Sequence, residues 1–121
     1  MKDYKELNVW RKGIELVIKV YRITRDFPRE ETYALTDQIK RAAVSISSNI
    51  AEGASRNTTK EFIQFLYIAL GSAAELETLL LISERVGYLE NMDNLASDII
   101  SIRKMLNSLI LSLKRRHTYA K

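Results

Sequence analysis

The stretch QIKRAAVSISSNIAEG, residues 38–53, decides the fold because it combines a helical repeat with many polar groups. Ile39, Ala42 and Ile46 follow the three- and four-residue spacing of one helix face. Serines, an asparagine and a glutamate lie on or beside the same face. A polar group that is buried without a partner costs about 1–3 kcal/mol. This helix therefore requires a neighbour that supplies matching polar side chains.

Three further segments repeat this spacing, and the 121 residues include only one proline and four glycines. So few turn residues favour long helices over a sheet. We predict an all-α protein with a single domain over residues 1–121, folded as an antiparallel up-down-up-down four-helix bundle. The predicted helices cover residues 6–26, 31–53, 58–86 and 92–116.

Signals at the helix ends and faces refine this prediction. Gly53 is expected to close the second helix as a C-cap. Thr58 or Thr59 is expected to cap the third helix, with Glu61, three residues after Thr58, completing a capping-box pattern. The first helix is expected to bury one face, formed by Trp10, Ile14, Val17, Tyr21 and Thr24.

The second and third helices are predicted to form a hairpin that turns near residues 55–57. This pairing places Ala42 and Ala43 opposite Leu70 and Gly71. Small residues on both helices permit a close approach of the two backbones. Gly71, which is costly inside a helix, thus gains a role in packing.

The same pairing predicts a partly buried polar network along the hairpin. Arg41 is expected to form an ion pair with Glu75, and Glu52 is expected to lie near Lys60. Asn49 could satisfy free backbone groups where the second helix ends. Polar stripes more often fix helix register than perform chemistry, so the structural interpretation of these residues is favoured.

Charge is distributed unevenly around a net charge of +4. Residues 75–98 are mainly acidic, whereas residues 103–121 contain six cations and no acid. A basic end can attract nucleic acid or an acidic partner, although a solvated helix terminus has the same composition. The candidates for phosphate contact are Lys114, Arg115, Arg116, Arg56 and Lys60.

Apolar residues on the third and fourth helices exceed what one buried stripe requires. The surplus consists of Ile63, Tyr67, Ile68, Leu81, Ile82, Ile100, Met105 and Ile110. An exposed patch of this size usually marks an interface, so a homo-oligomer is expected.

Catalytic and membrane functions are not expected. The single histidine, His117, lies in the basic tail, cysteine is absent, and no Glu-x-x-His pair or glycine-rich phosphate loop is present. We therefore expect no enzyme, cofactor or metal site. The N-terminus lacks an apolar signal region, and the apolar runs are too short for a membrane span. The expected location is the cytoplasm.

The segment Tyr33–Leu80, which contains the opening motif, closely resembles the bacterial four-helix-bundle family encoded by intervening sequences in 23S ribosomal RNA genes. VWRKGIELVIKVYRITRDFP (9–28) and VGYLE (86–90) resemble it too, so the resemblance covers about residues 8–90. It implies a compact antiparallel bundle and a homopentameric ring. The structural signature, in part matched to the family and in part taken from the hairpin, comprises Arg41, Asn49, Glu52, Gly53, Gly71 and Glu75.

A related group, the accessory variability proteins of diversity-generating retroelements, is similar in fold and implies nucleic acid and a reverse transcriptase as partners. The leading hypothesis is a non-enzymatic homo-oligomeric scaffold that binds RNA or DNA through phosphate contacts. The alternative is a protein–protein interaction module without nucleic-acid binding. Salt distinguishes the two, because phosphate binding weakens steeply as salt rises and an apolar protein interface does not.

Overall fold

The computed structural model describes the backbone of residues 3–120 and the side chains of residues 3–116. Over this range the chain is all-helical without a strand, which is consistent with a helical bundle. Its four long helices are α1 (Asn8–Ile23), α2 (Leu35–Ala54), α3 (Thr59–Arg85) and α4 (Asp93–Ala120). Short 3₁₀ turns cover Tyr4–Glu6, Thr24–Asp26 and Arg29–Glu31.

The turn between α2 and α3 combines a predicted cap with an unexpected helix end. Thr58 is the N-cap of α3, and its hydroxyl accepts a hydrogen bond of 3.1 Å from the Glu61 backbone N–H, as predicted. Gly53 does not cap α2, because the helix continues through Ala54 to Ser55 in right-handed geometry. The glycine has another role, which lies in helix packing.

Two glycines mark close contacts between helices, and Gly71 is not one of them. A Cβ atom at Gly13 would collide with the Ser47 hydroxyl of α2. One at Gly53 would lie 2.6 Å from the Cβ of Phe65 on α3. Gly71 is exposed and would meet nothing within 4 Å. The predicted close approach at Gly71 is therefore wrong, because this position lies on the outer face of α3.

The buried face of α1 is rotated by one position from the predicted face, although Thr24, just beyond the helix, is buried as predicted. Val9, Gly13, Leu16 and Val20 are buried, whereas Tyr21 is 44% exposed. Both sets have the same three- and four-residue spacing, so periodicity alone does not separate them. Because Gly13 contacts α2 closely, the face of α1 that contains Gly13 is the one buried in the core.

The core is one cluster to which all four helices contribute, and α1 and α3 each contact both α2 and α4. Within the part of the chain that the structure describes, α3 alone is long and apolar enough to cross a membrane. A core helix of a soluble protein passes the same test, so this is weak support for a membrane span.

Five of the eight surplus apolar residues are exposed, namely Tyr67, Ile68, Leu81, Ile82 and Ile100. Ile63 and Met105 are half-buried, and Ile110 joins the core. Glu77 and Arg103 form an ion pair of 3.2 Å that holds α3 beside α4. Leu81 lies one turn beyond Glu77, and Ile100 lies one turn before Arg103, so both point to the same side. We call Leu81, Ile82 and Ile100 the apolar patch.

Candidate functional site

A polar network does join α2 to α3, but with partners other than those predicted. The Asn49 amide donates hydrogen bonds of 2.8 Å to the Ser45 carbonyl and 2.9 Å to the Ser45 hydroxyl. The Ser45 hydroxyl lies 2.8 Å from that of Ser72 on α3. Nearer the start of α2, the Gln38 amide donates to Glu75 over 3.4 Å. These contacts satisfy the polar stripe of α2 and leave it no evident chemical role.

The predicted ion pair between Arg41 and Glu75 is wrong, and Glu52 takes a partner other than Lys60. Arg41 pairs with Asp37 at 2.8 Å, and Glu52 pairs with Arg56 at 2.6 Å. Each pair joins residues four positions apart on a helix surface or its extension, where side chains are already neighbours. Glu75 and Lys60, the expected partners on α3, are exposed and make neither contact.

A groove between α3 and the C-terminal part of α4 brings together two of the five predicted phosphate contacts. Its volume is about 550 Å³. Its lining consists of Lys60, Ile63, Gln64, Tyr67, Ile68 and Lys114. We call it the α3/α4 groove. Among the described side chains no carboxylate lines it, so its potential is set by two lysines beside an apolar floor.

The aromatic ring of Tyr67 forms part of this floor. The Lys114 ammonium donates a hydrogen bond of 2.8 Å to the Tyr67 hydroxyl and lies 5.2 Å from the ring centroid. The two distances place the ammonium beyond the hydroxyl and not over the ring. Tyr67 is 48% exposed and its neighbour Ile68 is 50% exposed, so the groove offers solvent a flat apolar surface edged by cations.

The other three predicted phosphate contacts do not join this groove. The Arg56 guanidinium lies 4.9 Å from the Phe65 ring centroid and pairs with Glu52, which offsets its charge. Arg115 and Arg116 are exposed on α4. Neither arginine lines the α3/α4 groove with Lys114. His117 and the remaining tail side chains lie outside the described residues.

A second groove, between α1 and α2, was missed because Tyr21 was assigned to the core. It has a volume of about 480 Å³ and is lined by Tyr21, Asp37, Lys40, Arg41, Val44 and Ser45. The Lys40 ammonium lies 4.7 Å from the Tyr21 ring centroid. We call it the α1/α2 groove. It repeats the tyrosine–lysine combination of the α3/α4 groove but contains the paired carboxylate of Asp37.

One tyrosine at the far end of α3 has a perturbed pKa. The Tyr88 hydroxyl donates a hydrogen bond of 3.0 Å to Glu31, which ties the α3–α4 connection to the α1–α2 connection. This bond, partial burial and the negative charges of Glu31 and Glu30 raise the pKa of Tyr88. Its role is structural. Over the residues searched, no cluster of three histidine, cysteine or acidic side chains could hold a metal ion.

Comparisons with known proteins agree with the helical architecture. The family model of the 23S rRNA-intervening sequence proteins matches residues 5–108. A crystal structure from Bacteroides thetaiotaomicron, of a protein of unknown function in the S23 ribosomal protein family, is 30% identical in sequence. Its TM-score is 0.77, and the match covers 84% of this chain and 94% of the other. No curated protein shows significant similarity.

Proposed function

The chain belongs to the family of 23S rRNA-intervening sequence proteins, and on that premise we propose that it is a non-enzymatic homo-oligomeric scaffold that binds nucleic acid. One observation carries the nucleic-acid part of the proposal: Lys60 and Lys114, from two helices, line the same groove. Phosphate oxygens are contacted by accessible lysine and arginine side chains. The proposed location is the cytoplasm.

The proposed architecture is an up-down-up-down bundle. On α3 and α4, Tyr67 meets Lys114, whereas Glu77, further along α3, meets Arg103, earlier on α4. This order is that of antiparallel neighbours. Short connections, such as those from α2 to α3 and from α3 to α4, are typical of the same topology.

The apolar patch supports self-association. Leu81, Ile82 and Ile100 are between 39% and 46% exposed at the end of α3 that is remote from Lys60. Large apolar side chains on one face favour burial against another surface. A ring is the assembly that we propose, with five subunits as the resemblance implies. Such a ring presents several copies of the α3/α4 groove, so modest single contacts strengthen one another.

The binding mechanism is electrostatic. Each lysine that approaches a phosphate displaces condensed counterions, so affinity falls linearly with salt on a double-logarithmic plot. The slope is about −0.9 for each duplex phosphate neutralised and about −0.7 for each phosphate of a single strand. The contact of Gln38 with Glu75 and that of Ser45 with Ser72 hold α2 on α3. Neither contact lies in the α3/α4 groove.

Size-exclusion chromatography with light scattering tests both parts of the proposal. The protein is run alone, with random-sequence RNA and with a DNA duplex, at low and at high salt. We expect an oligomer that elutes with nucleic acid at low salt and without it at high salt. A monomer would contradict the scaffold, and an oligomer that ignores nucleic acid at both salt concentrations would contradict phosphate binding.

The second candidate function is a protein–protein interaction module. It is favoured by the apolar character of the α3/α4 groove, where Ile63, Tyr67 and Ile68 outnumber the two lysines. A partner protein that covers these side chains would bind with little dependence on salt. The same chromatography, repeated with a bound partner at both salt concentrations, separates this candidate from the first.

A further inference from the structure

We infer that the nucleic acid held by the α3/α4 groove is single-stranded, with an unpaired base against Tyr67 and Ile68 and neighbouring phosphates at Lys60 and Lys114. This inference rests on the proposed function and specifies its ligand. It follows from the combination of an apolar floor with cationic edges, which a phosphate site alone does not require.

The apolar floor distinguishes the two forms of nucleic acid. A duplex presents its phosphates outward and keeps the faces of its bases stacked inside. Bound across the groove, it would contact Lys60 and Lys114 but would leave Tyr67 and Ile68 uncovered. An unpaired base offers a flat face that stacks on an aromatic side chain regardless of sequence. The single strand is thus the form that covers the whole lining.

The position of Lys114 leaves the ring accessible. Its ammonium lies 2.8 Å from the Tyr67 hydroxyl but 5.2 Å from the ring centroid, so the charge stands at the edge of the ring. A base on the ring would therefore have a cation beside it, where its own phosphate can bind. Lys60 lies seven residues before Tyr67 on α3, roughly 10 Å along the helix axis, and lines the same groove.

Charge favours a nucleic acid over a second copy of this chain as the occupant. The lining has two lysines and no acid among the described side chains. The apolar patch, by contrast, borders the ion pair of Glu77 with Arg103, so its surroundings are neutral. A self-contact suits the neutral surface, and an anionic ligand suits the cationic one.

Fluorescence anisotropy with labelled oligonucleotides tests the inference. The probes are an RNA strand of about 20 nucleotides, the duplex of the same length, and an abasic strand with the same phosphates. We expect the intact strand to bind at least about tenfold more tightly than the duplex and the abasic strand at the same salt concentration, because stacking adds to phosphate contact.

Variants at one position isolate the ring. Tyr67→Ala should weaken binding of the intact strand about tenfold and leave the abasic strand unchanged. Tyr67→Phe keeps the ring but removes the hydroxyl that accepts from Lys114; it should retain the preference for the intact strand over the abasic strand. Tyr21→Ala is the matched control, since Tyr21 is also about half exposed and also lies beside a lysine; it should bind like the parent. Thermal melting verifies that each variant folds.

Three outcomes would overturn the inference. Equal affinity for strand and duplex, with Tyr67→Ala unaffected, would show phosphate contact without stacking and would leave the proposed function intact. Absence of binding by every probe would contradict the proposed function as well. Loss of assembly by Tyr67→Ala in light scattering, with folding retained, would identify the groove as a contact between subunits.

Discussion

The α3/α4 groove and the α1/α2 groove contain the same combination of residues and differ in their charge. Each has a half-exposed tyrosine with a lysine ammonium 4.7 to 5.2 Å from its ring centroid. The α1/α2 groove also contains Asp37, which pairs with Arg41 at 2.8 Å. Over the side chains that the structure describes, the lining of the α3/α4 groove includes no acid, and its two cations come from different helices.

The difference shows that residue type and exposure are insufficient to identify a binding surface. A carboxylate within about 4 Å of a cation removes most of the field that an approaching phosphate would experience. Arg41 is as exposed as Lys60, yet its charge is already partnered. The neighbourhood of a cation determines what it can bind.

The largest expected effect comes from reversing the charges of one groove. Lys60→Glu combined with Lys114→Glu should weaken RNA binding about tenfold for each residue, or roughly 100-fold together. Lys40→Glu combined with Arg41→Glu changes the net charge equally and should have far less effect. Anisotropy titrations over a range of salt provide the measurement, and equal losses in the two double variants would mean that only net charge matters.

A substitution at Gly53 should weaken the contact between α2 and α3 on which the α3/α4 groove depends. Gly53→Ala places a methyl group against Phe65, where α2 seats the start of α3 and therefore the α3/α4 groove. We expect a loss of about 1–3 kcal/mol in the free energy of unfolding. Gly71→Ala is the control, because nothing lies near that position; it should gain about 0.5–1 kcal/mol from better helix propensity. Urea denaturation measures the free energy of unfolding of both variants. Destabilisation by Gly71→Ala would show that Gly71 does lie in a close contact between helices.

The α1/α2 groove can be made to resemble the other groove by a single substitution. Asp37→Asn removes the carboxylate and frees Arg41 while leaving Tyr21 and Lys40 in place. We expect RNA affinity at low salt to rise about two- to fivefold, the range of an exposed ion pair. An unchanged affinity in anisotropy titrations would show that Asp37 is not what separates the two grooves.

The smallest expected effect is that of Tyr88→Phe on the pH dependence of stability. Tyr88 lies beyond the end of α3 that is remote from the α3/α4 groove. In the folded protein, the bond to Glu31 favours the neutral form of Tyr88 and raises its pKa above the ordinary value of about 10. This contribution to stability is complete below about pH 10 and is lost as pH rises through the raised pKa. Tyr88→Phe should flatten the dependence of melting temperature on pH in that range and leave RNA binding unchanged. A variant with the same pH dependence as the parent would exclude Tyr88 as its source.

The fold was readable from sequence because its signals are periodic or local. Regular spacing predicted the helices, and Thr58 with Glu61 marked the start of α3 correctly. The partners of individual side chains were harder to predict from the sequence. Arg41 pairs with Asp37 and not with Glu75. A residue four positions away on the same helix is always within reach, whereas the distance to a residue on another helix depends on how the two helices are aligned.

The candidate groove was only half visible in the sequence. Lys60 and Lys114 were selected for their charge, but their convergence on Tyr67 depends on how α3 and α4 pack side by side. Tyr21 was predicted to be buried because two adjacent faces of α1 have the same three- and four-residue spacing. The close contact of Gly13 with α2, which determines the buried face, was not predicted. A search for glycines on apolar stripes could have found that contact.

The exposed Gly71 has a consequence for the mechanics of α3. It lies between the groove residues at 60–68 and the apolar patch at 81–82, and no side chain of another helix supports it. Glycine gives a helix its largest local gain in backbone entropy on opening. Amide hydrogens near residue 71 should therefore exchange with solvent faster than those of the flanking turns.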